Sequence, residues 1–318
     1  MKRVSYSKMV ANMSPKRSII FKAIIKHKYF YLMLLPVLIW YIVFCYVPMY
    51  GVLSAFQDYE MHKGILQSPF VGLRHFDELI HDDLFWRAFR NSVIIAIYRI
   101  VFEFPIPIIL AILINEIRHV WLSKTIQTIV YLPHFISWVI VASIIITIFN
   151  PDQGLVSAIM NALGGGDMNV NIITAKSFKA VLIGTNIWKE AGWSMIIFIA
   201  SIAGIDVYLY EASYVDGANR FQRMWYITLP GIRSVVSIML ILTIGSVIKT
   251  GFDQVFNLQN PLVMETGDII DTYVYRTVMK DFRLSYAAAL GLFNSIICTA
   301  LLLSSNFAAK KMKMDSIY

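Results

Sequence analysis

Long apolar runs alternate with shorter polar segments along most of the 318-residue chain. A helix needs about 20 consecutive apolar residues to cross the hydrocarbon core of a bilayer, and it satisfies its own backbone hydrogen bonds there. The pattern therefore predicts an all-α fold, a polytopic membrane protein with six transmembrane helices. The predicted helices cover residues 29–50, 91–114, 125–149, 178–205, 232–252 and 286–309.

The composition supports a membrane protein and excludes an ordinary soluble domain. Hydrophobic residues make up 58% of the chain and charged residues only 15%, whereas soluble domains carry about 25% charged residues. Cys45 and Cys298 both lie in apolar runs, so we expect no disulfide framework, and no spacing of Cys and His is typical of a metal site. The net charge of +8 requires no nucleic acid partner, because membrane proteins concentrate Lys and Arg on their cytoplasmic side.

The distribution of Lys and Arg between the predicted loops indicates the orientation of the chain. The side that carries the N-terminus holds 16 of these residues, and the opposite side, whose loops are longer, holds 10. Both termini are therefore predicted to be cytoplasmic. The predicted organisation is a basic cytoplasmic segment 1–28, a transmembrane domain 29–309 and a cytoplasmic tail 310–318. The run 29–50 is too long for the core of a signal peptide and is interpreted as an uncleaved span.

The connection between the fourth and fifth predicted spans, residues 206–230, has a pattern of its own. Asp206 is a suitable N-cap for a short helix, and Gly217 is suited to the left-handed conformation that ends one. A second helix is predicted to begin near Ala218 or Asn219 and to stop at residues 228–230. Periodicity alone leaves two interpretations open: an ordinary amphipathic connector, or a functional helix–turn–helix at the membrane surface.

The complete string of this connection favours the functional interpretation. It reads Glu-Ala-x3-Asp-Gly-Ala-x9-Thr-Leu-Pro, which resembles the EAA loop of the permeases of ABC importers. Ser213 replaces the second Ala of that motif, and Trp225 stands where an aromatic residue is usual. The resemblance implies a role in coupling to an ATPase for Glu211, Ala212, Ser213, Asp216, Gly217, Ala218, Gln222, Leu229 and Pro230.

The resemblance implies a type I ABC importer transmembrane domain with a cytoplasmic coupling helix. In that family the helix docks in a groove of an ATPase subunit, and closure of the ATPase pair rocks the transmembrane helices between two states. The implied partners are a second homologous permease, two ATP-binding cassette subunits and an extracellular solute-binding lipoprotein. The chain contains no Gly-x4-Gly-Lys-Ser/Thr motif, so we expect it to bind no cofactor, ATP and Mg²⁺ being used by the partner ATPase.

Four further segments resemble the permeases of sugar importers that handle polysaccharide fragments. They are residues 48–51, 68–76, 115–118 and 127–138. Members of that group import oligosaccharides from acidic or plant polysaccharides, of the alginate or rhamnogalacturonan type. The resemblance therefore implies an oligosaccharide as cargo, without indicating which one.

Two ionisable residues inside the second predicted span are candidates for the cargo path. Arg99 and Glu103 are four residues apart, so they lie on one face of a helix and can form an ion pair. Pro105 and Pro107 follow and predict a kink. The pair is interpreted either as part of the cavity lining or as an ion pair that holds helices together.

A second group of candidates for the cargo path lies in the fourth span. Trp188, Lys189, Glu190 and Trp193 combine aromatic rings, which can stack on sugars, with charges that can bind hydroxyl groups. The alternative is a belt of Trp at the membrane interface. Asn294 in the last span is a weaker candidate, since a single polar residue often bonds a neighbouring helix.

Two other classes of protein remain as alternatives to the importer permease. One is an ion-coupled secondary transporter that uses the Arg99–Glu103 or Lys189–Glu190 pair. The other is a membrane enzyme acting on lipid-linked sugars, which needs a convergent acidic or His site that the sequence does not indicate. The match of residues 206–230 to the EAA loop favours the permease.

Overall fold

The computed structural model describes residues 26–151, 153–163, 172–249, 251–311 and 315. Most of the predicted segments 1–28 and 310–318 therefore lies outside the described residues. The helices are α1 (Lys28–Phe56), α2 (Gly64–Gln67), α3 (Arg74–Ile80), α4 (Asp83–Asn115), α5 (Val120–Phe135), α6 (Trp138–Ile148), α7 (Leu155–Ala162), α8 (Phe178–Ala203), α9 (Val207–Val215), α10 (Arg220–Gly231), α11 (Arg233–Lys249), α12 (Phe252–Leu258), α13 (Met264–Gly267), α14 (Ile270–Met279) and α15 (Leu284–Lys311).

The predicted all-α, multi-pass architecture is confirmed. In the described part of the chain, α1, α4 and α15 are each long and apolar enough to cross a membrane. Three bent pairs reach that length and apolarity together, namely α5 with α6, α8 with α9, and α10 with α11. Each of the six predicted runs thus corresponds to one of these helices or pairs.

The structure divides into two units, one up to Phe70 and one from Val71 onward. In the first unit every residue of Lys28–Tyr41 is exposed, as suits a helix that is apolar on all sides and belongs in a membrane. A π-helical turn over Ile42–Tyr46 precedes Pro48. The unit ends with an isolated antiparallel bridge between Gln57 and Phe70.

In the second unit, long helices pack side by side around apolar clusters. One cluster joins α4, α8 and the start of α11 through Ala111, Met195 and Ile232, each fully buried. Another joins α6, α8 and α12 through Val141, Leu182 and Val255. The α8 helix contributes residues to both clusters and therefore packs against helices of each.

A polar cluster fixes the start of α4 against α14 and α15. Asp82 caps α4 by accepting a hydrogen bond from the Leu84 amide at 2.8 Å. Its other oxygen accepts hydrogen bonds from the hydroxyls of Tyr273 and Tyr286. Burial opposes ionisation of this carboxyl, but these hydrogen bonds outweigh it and lower the pKa of Asp82.

A π-helical turn lies immediately before Pro105, where the sequence predicts a kink. This turn covers Arg99–Glu103, and the amide of Phe104 bonds the carbonyl of Arg99 at 3.0 Å, five residues back. Pro105 has no N–H, and the wider turn accommodates the missing donor without breaking the helix. The helix continues to Asn115 as a single span.

The prediction of one continuous helix for the third span is wrong. The α5 and α6 helices meet at 95°, and the chain between them is extended at Ile136 and Ser137. Ser137 caps the new helix by accepting a hydrogen bond from the Ile140 amide at 3.4 Å. Pro133 lies in the last turn of α5, so the break follows the proline by three residues.

The predicted ends near the fifth span also need correction. The α10 helix does not stop at residues 228–230 but runs through Pro230 to Gly231, because a π-helical turn over Met224–Thr228 accommodates the proline. The following helix, α11, is bent from it by 60° and ends at Lys249, not at residue 252. Gly251 then adopts a φ of +106°, a conformation that favours glycine.

Candidate functional site

A cavity of about 630 Å³ lies among α4, α6, α8 and α11. It contains four of the residues predicted for the cargo path, two from α4 and two from α8. Apolar side chains such as Phe104 and Met239 complete its walls, together with small polar residues. The predicted members that line it are Arg99, Glu103, Glu190 and Trp193.

Arg99 and Glu103 form the predicted ion pair, with 3.7 Å between Nε and Oε1. Arg99 is only 6% exposed and donates from Nη2 to Gln254 Oε1 at 2.8 Å. Asn186 donates to the other Glu103 oxygen at 2.7 Å, and Gln254 donates to the Leu182 carbonyl at 2.6 Å. The pair lines the cavity, and its hydrogen bonds to Asn186 and Gln254 also connect α4 with α8 and α12.

Lys189 is a buried connector between helices. It is 4% exposed, and its ammonium group donates to the His134 carbonyl at 2.7 Å and to Glu190 Oε1 at 3.0 Å. Glu190 Oε2 lies 2.7 Å from His134 Nδ1. The ammonium group also lies 5.6 Å from the ring centroid of Trp138. Lys189 thereby bridges the break between α5 and α6, whose two ends carry His134 and Trp138.

Trp193 is the aromatic residue of the cavity wall. Its indole stacks on the imidazole of His134. The Phe135 ring lies edge-on to the indole, with 6.1 Å between the ring centroids. Trp193 remains 48% exposed. Trp188 is exposed but does not line the cavity. Asn294 is buried within α15, where its Oδ1 lies 3.9 Å from Cys298 Sγ. Neither Trp188 nor Asn294 therefore lines the cavity.

The predicted helix–turn–helix of residues 206–230 is confirmed. Asp206 caps α9 by accepting a hydrogen bond from the Tyr208 amide at 3.0 Å. After α9 ends at Val215, Gly217 takes a φ of +74°, and the Ala218 amide bonds the Ser213 carbonyl at 2.9 Å. This bond closes the turn and fixes the direction of the next helix.

The second helix of the loop starts with a capping box. The Asn219 side chain accepts from the Gln222 amide at 2.9 Å, and the Gln222 side chain accepts from the Asn219 amide at 2.7 Å. The Asn-x-x-Gln spacing is the sequence signal for this cap. Sequence reasoning missed Asn219 as the cap. It also missed the contact of Arg223 with Tyr214, in which the guanidinium carbon lies 3.9 Å from the ring centroid. This contact joins two helices, and no local pattern encodes it.

The loop residues predicted to couple to a partner form a mostly exposed surface. An indentation of about 300 Å³ runs along the turn from Ser213 to Ala218 and across to Tyr226. Ser213 is buried and donates to the Tyr210 carbonyl at 2.6 Å, and Ala218 and Leu229 are half-buried. The exposed predicted members are Glu211, Ala212, Asp216, Gly217, Gln222 and Pro230.

Comparison with known proteins shows similarity over nearly the whole chain. A polygalacturonan/rhamnogalacturonan transport system permease, YteP of Bacillus subtilis (strain 168), is 41% identical over 303 residues, which cover 95% of this chain and 94% of the relative. The protein LplB of the same organism is 40% identical over 296 residues, 93% of each chain. The relatives therefore match the full set of helices and not one segment.

A solved structure gives the same result for the fold. It is a crystal structure of a bacterial ABC transporter involved in the import of the acidic polysaccharide alginate. One of its chains superposes on this protein with a TM-score of 0.84 and 36% identity, covering 92% of this chain and 98% of that one. The same transporter type has been solved with a periplasmic protein that carries an alginate pentasaccharide.

The family assignment follows from a direct match. Residues 103–314 match the family described as binding-protein-dependent transport system inner membrane component. The match begins at Glu103, the last residue of the π-helical turn of α4, and includes the cavity-lining part of α8, the EAA-like loop and α15. A component of this kind transports and is not itself an enzyme, which favours the permease over the membrane enzyme and the ion-coupled carrier. The chain belongs to the family of binding-protein-dependent transport system inner membrane components.

Proposed function

We propose that this chain is one of two permease subunits of an ATP-driven importer of acidic oligosaccharides. The observation that carries the proposal is the near-complete match to a permease chain of an importer of the acidic polysaccharide alginate, at 36% identity. The relative YteP, whose name refers to polygalacturonan and rhamnogalacturonan, supports the same chemical class of cargo. Pectin and alginate fragments are both chains of sugars that carry carboxylates.

The proposed cargo path passes through the cavity between α4 and α8. Trp193 is the proposed stacking platform, because an aromatic face packs on the apolar face of a sugar ring. Glu103 and Glu190 are proposed to accept hydrogen bonds from sugar hydroxyls, and Arg99 is proposed to offset a carboxylate of the cargo. Lys189, through its bonds to His134 and Glu190, is proposed to position that wall without contacting the cargo.

The proposed contact with the ATPase is the exposed surface of residues 206–230. Glu211 offers an exposed carboxylate on α9, suited to charge-assisted hydrogen bonds with a groove of the ATPase. The turn at Gly217 has no side chain and permits close backbone approach. ATP and Mg²⁺ act in the two ATPase subunits, and their closure moves this loop together with α8 and α11, to which it is directly joined.

The proposed orientation places both termini and residues 206–230 in the cytoplasm. It is supported by the 16 Lys and Arg residues on that side against 10 on the other. The complete importer then needs a second permease for the other half of the path and an extracellular solute-binding lipoprotein to deliver the cargo. The proposed domain limits remain 29–309 for the transmembrane part and 206–230 for the coupling loop.

Co-purification from the native host tests this composition. The chain carries an affinity tag, the membranes are extracted in mild detergent, and mass spectrometry identifies the proteins that remain bound. We expect a second six-span permease, an ATP-binding cassette subunit and a sugar-binding lipoprotein. Recovery of the chain alone, in a form that moves solute in liposomes without ATP, contradicts the proposal and supports the ion-coupled alternative.

A further inference from the structure

A second cavity, of about 390 Å³, lies beside the EAA-like loop, away from the proposed cargo path. Its walls come from the connection between α4 and α5, the end of α8, and both helices of the loop. The charged residues that line it are Glu116, Arg118, Arg220 and Arg223. Three arginines and one glutamate therefore line the cavity, which has an excess of positive charge.

Arg223 is the unusual member of this lining. It is only 6% exposed, and the central carbon of its guanidinium lies over the Tyr214 ring, 3.9 Å from the ring centroid. The N–H donors of a guanidinium lie at the edge of its plane, and in the cavity they can donate to water or to a ligand. Among the described residues, none accepts a hydrogen bond from this side chain or forms an ion pair with it.

The other polar side chains that line the cavity make no hydrogen bond to Arg223. The Tyr210 hydroxyl is bonded to Thr228 Oγ1 at 2.9 Å. Glu116 forms no ion pair with a described arginine within 4.0 Å. With three arginines and one carboxylate in its lining, the cavity is suited to an anion that enters from outside the chain.

We propose that this cavity binds a phosphate group carried by a small organic molecule. Arginine is well matched to phosphate because its planar fork makes two parallel hydrogen bonds. The volume exceeds that of a bare ion, and Ile202, Ile205 and Val207 add apolar wall for an organic portion. With the orientation proposed above, the cavity faces the cytoplasmic side, where anionic lipid headgroups and soluble phosphate esters both occur.

A direct binding measurement on the purified importer, with its partner subunits, tests the site. The complex is delipidated in a neutral detergent and titrated with inorganic phosphate, glucose 6-phosphate or dioctanoyl phosphatidylglycerol, and native mass spectrometry reports occupancy. Dioctanoylglycerol, which lacks phosphate, is the negative control. We expect Arg223→Gln to weaken phosphate-dependent binding about tenfold or more, and Arg233→Gln, an exposed arginine outside the cavity, to leave it within about twofold.

The ligand arms separate the two sources of phosphate. Binding of all three phosphate compounds supports a soluble ester, and binding of phosphatidylglycerol alone supports a lipid headgroup. If Arg223→Gln prevents assembly, the double variant Arg118→Gln, Arg220→Gln replaces it, since both side chains are exposed, and the same loss is expected.

Three results overturn the site. One is binding of the phosphate compounds that is equal in the wild-type and variant proteins. Another is equal binding of dioctanoylglycerol and phosphatidylglycerol. The third is loss of the ATPase subunit from Arg223→Gln with phosphate binding unchanged, which assigns Arg223 to the contact with the ATPase. None of these results depends on transport, so the proposed importer function is tested separately.

Discussion

The imidazole of His134 and the indole of Trp193 stack with their ring centroids 4.5 Å apart and their planes 4° apart. His134 lies in the last turn of α5 and Trp193 lies in α8, so the stack joins the broken third span to the cavity wall. One face of the indole is thereby covered, and its position is fixed before any ligand arrives. A fixed aromatic ring loses little conformational freedom on binding, which suits it to hold a sugar.

Trp193→Ala is expected to weaken cargo uptake without loss of assembly. Removal of a stacking surface should raise the half-saturating concentration by roughly three- to tenfold. The measurement is ATP-driven uptake of a panel of acidic oligosaccharides into liposomes. Trp188→Ala is the matched control, because Trp188 lies five residues earlier on α8 and outside the cavity. An unchanged uptake profile for Trp193→Ala contradicts the assignment.

Glu211→Lys is expected to separate ATP hydrolysis from transport. The substitution reverses the charge on the exposed side of α9, and loss of a charge-assisted contact should lower transport about tenfold or more. Uptake and ATP hydrolysis are measured on the same reconstituted sample, and ATP hydrolysis should persist. Glu211→Asp keeps the negative charge at this position and is the matched control, which should retain transport. Transport by Glu211→Lys at the wild-type rate refutes the coupling role.

Gly251→Ala is expected to destabilise the protein. A Cβ there would lie 2.5 Å from Arg99 Nη2, and the φ of +106° is unfavourable for alanine. Arg99 is held by Gln254 and Glu103 and has little room to yield, so we expect a loss of about 1–3 kcal/mol. Thermal unfolding in detergent measures it.

Gly184→Ala provides the control for that substitution. Gly184 lies inside α8, and a Cβ there meets nothing within 4 Å. Alanine should be neutral or should stabilise the helix by about 0.5–1 kcal/mol. Equal melting temperatures for the two variants would show that the Arg99 contact does not constrain position 251.

Asp271→Asn is expected to stabilise the protein near neutral pH and not in acid. Burial raises the pKa of Asp271 to about 6, against the attraction of Lys249. The folded protein therefore holds this proton more tightly than the unfolded chain, whose pKa is about 3.9. The resulting cost to stability is absent below the unfolded pKa, grows as the pH rises from about 4 to 6, and is constant above.

The size and the test of this effect follow from the exposure of the carboxyl. Asp271 is only partly buried, so solvent screening limits the gain on substitution to about 1 kcal/mol at pH 7.5. The difference in melting temperature between variant and wild type is measured from pH 3.5 to 8. A gain that is the same at every pH would assign the effect to packing and not to ionisation.

The sequence predicts the local features of this protein well. The helix start at Asp206 and the left-handed turn at Gly217 both depend on neighbouring residues, and the structure confirms both. Each of the six apolar runs coincides with a helix or a bent pair of helices for the same reason, since helix formation in a membrane depends on length and apolarity. The Arg99–Glu103 pair also lies within one helix and is found as predicted.

Features that depend on contacts between distant helices are beyond these local rules. The break after Pro133 lies inside a continuous apolar run, and Lys189 bonds the His134 carbonyl from 55 residues away. The bond from Arg99 to Gln254 spans 155 residues. The sequence therefore predicts that Lys189 lines the cargo path, whereas its side chain is buried against the break between α5 and α6.

Uptake by the reconstituted importer tests the central claim most directly. The complex of this chain with its co-purified partners is placed in liposomes, and uptake of a labelled oligogalacturonide is followed with the loaded binding protein outside and ATP inside. We expect uptake that requires both ATP and the binding protein and that is insensitive to a proton or sodium gradient. Uptake driven by an ion gradient without ATP would contradict the account.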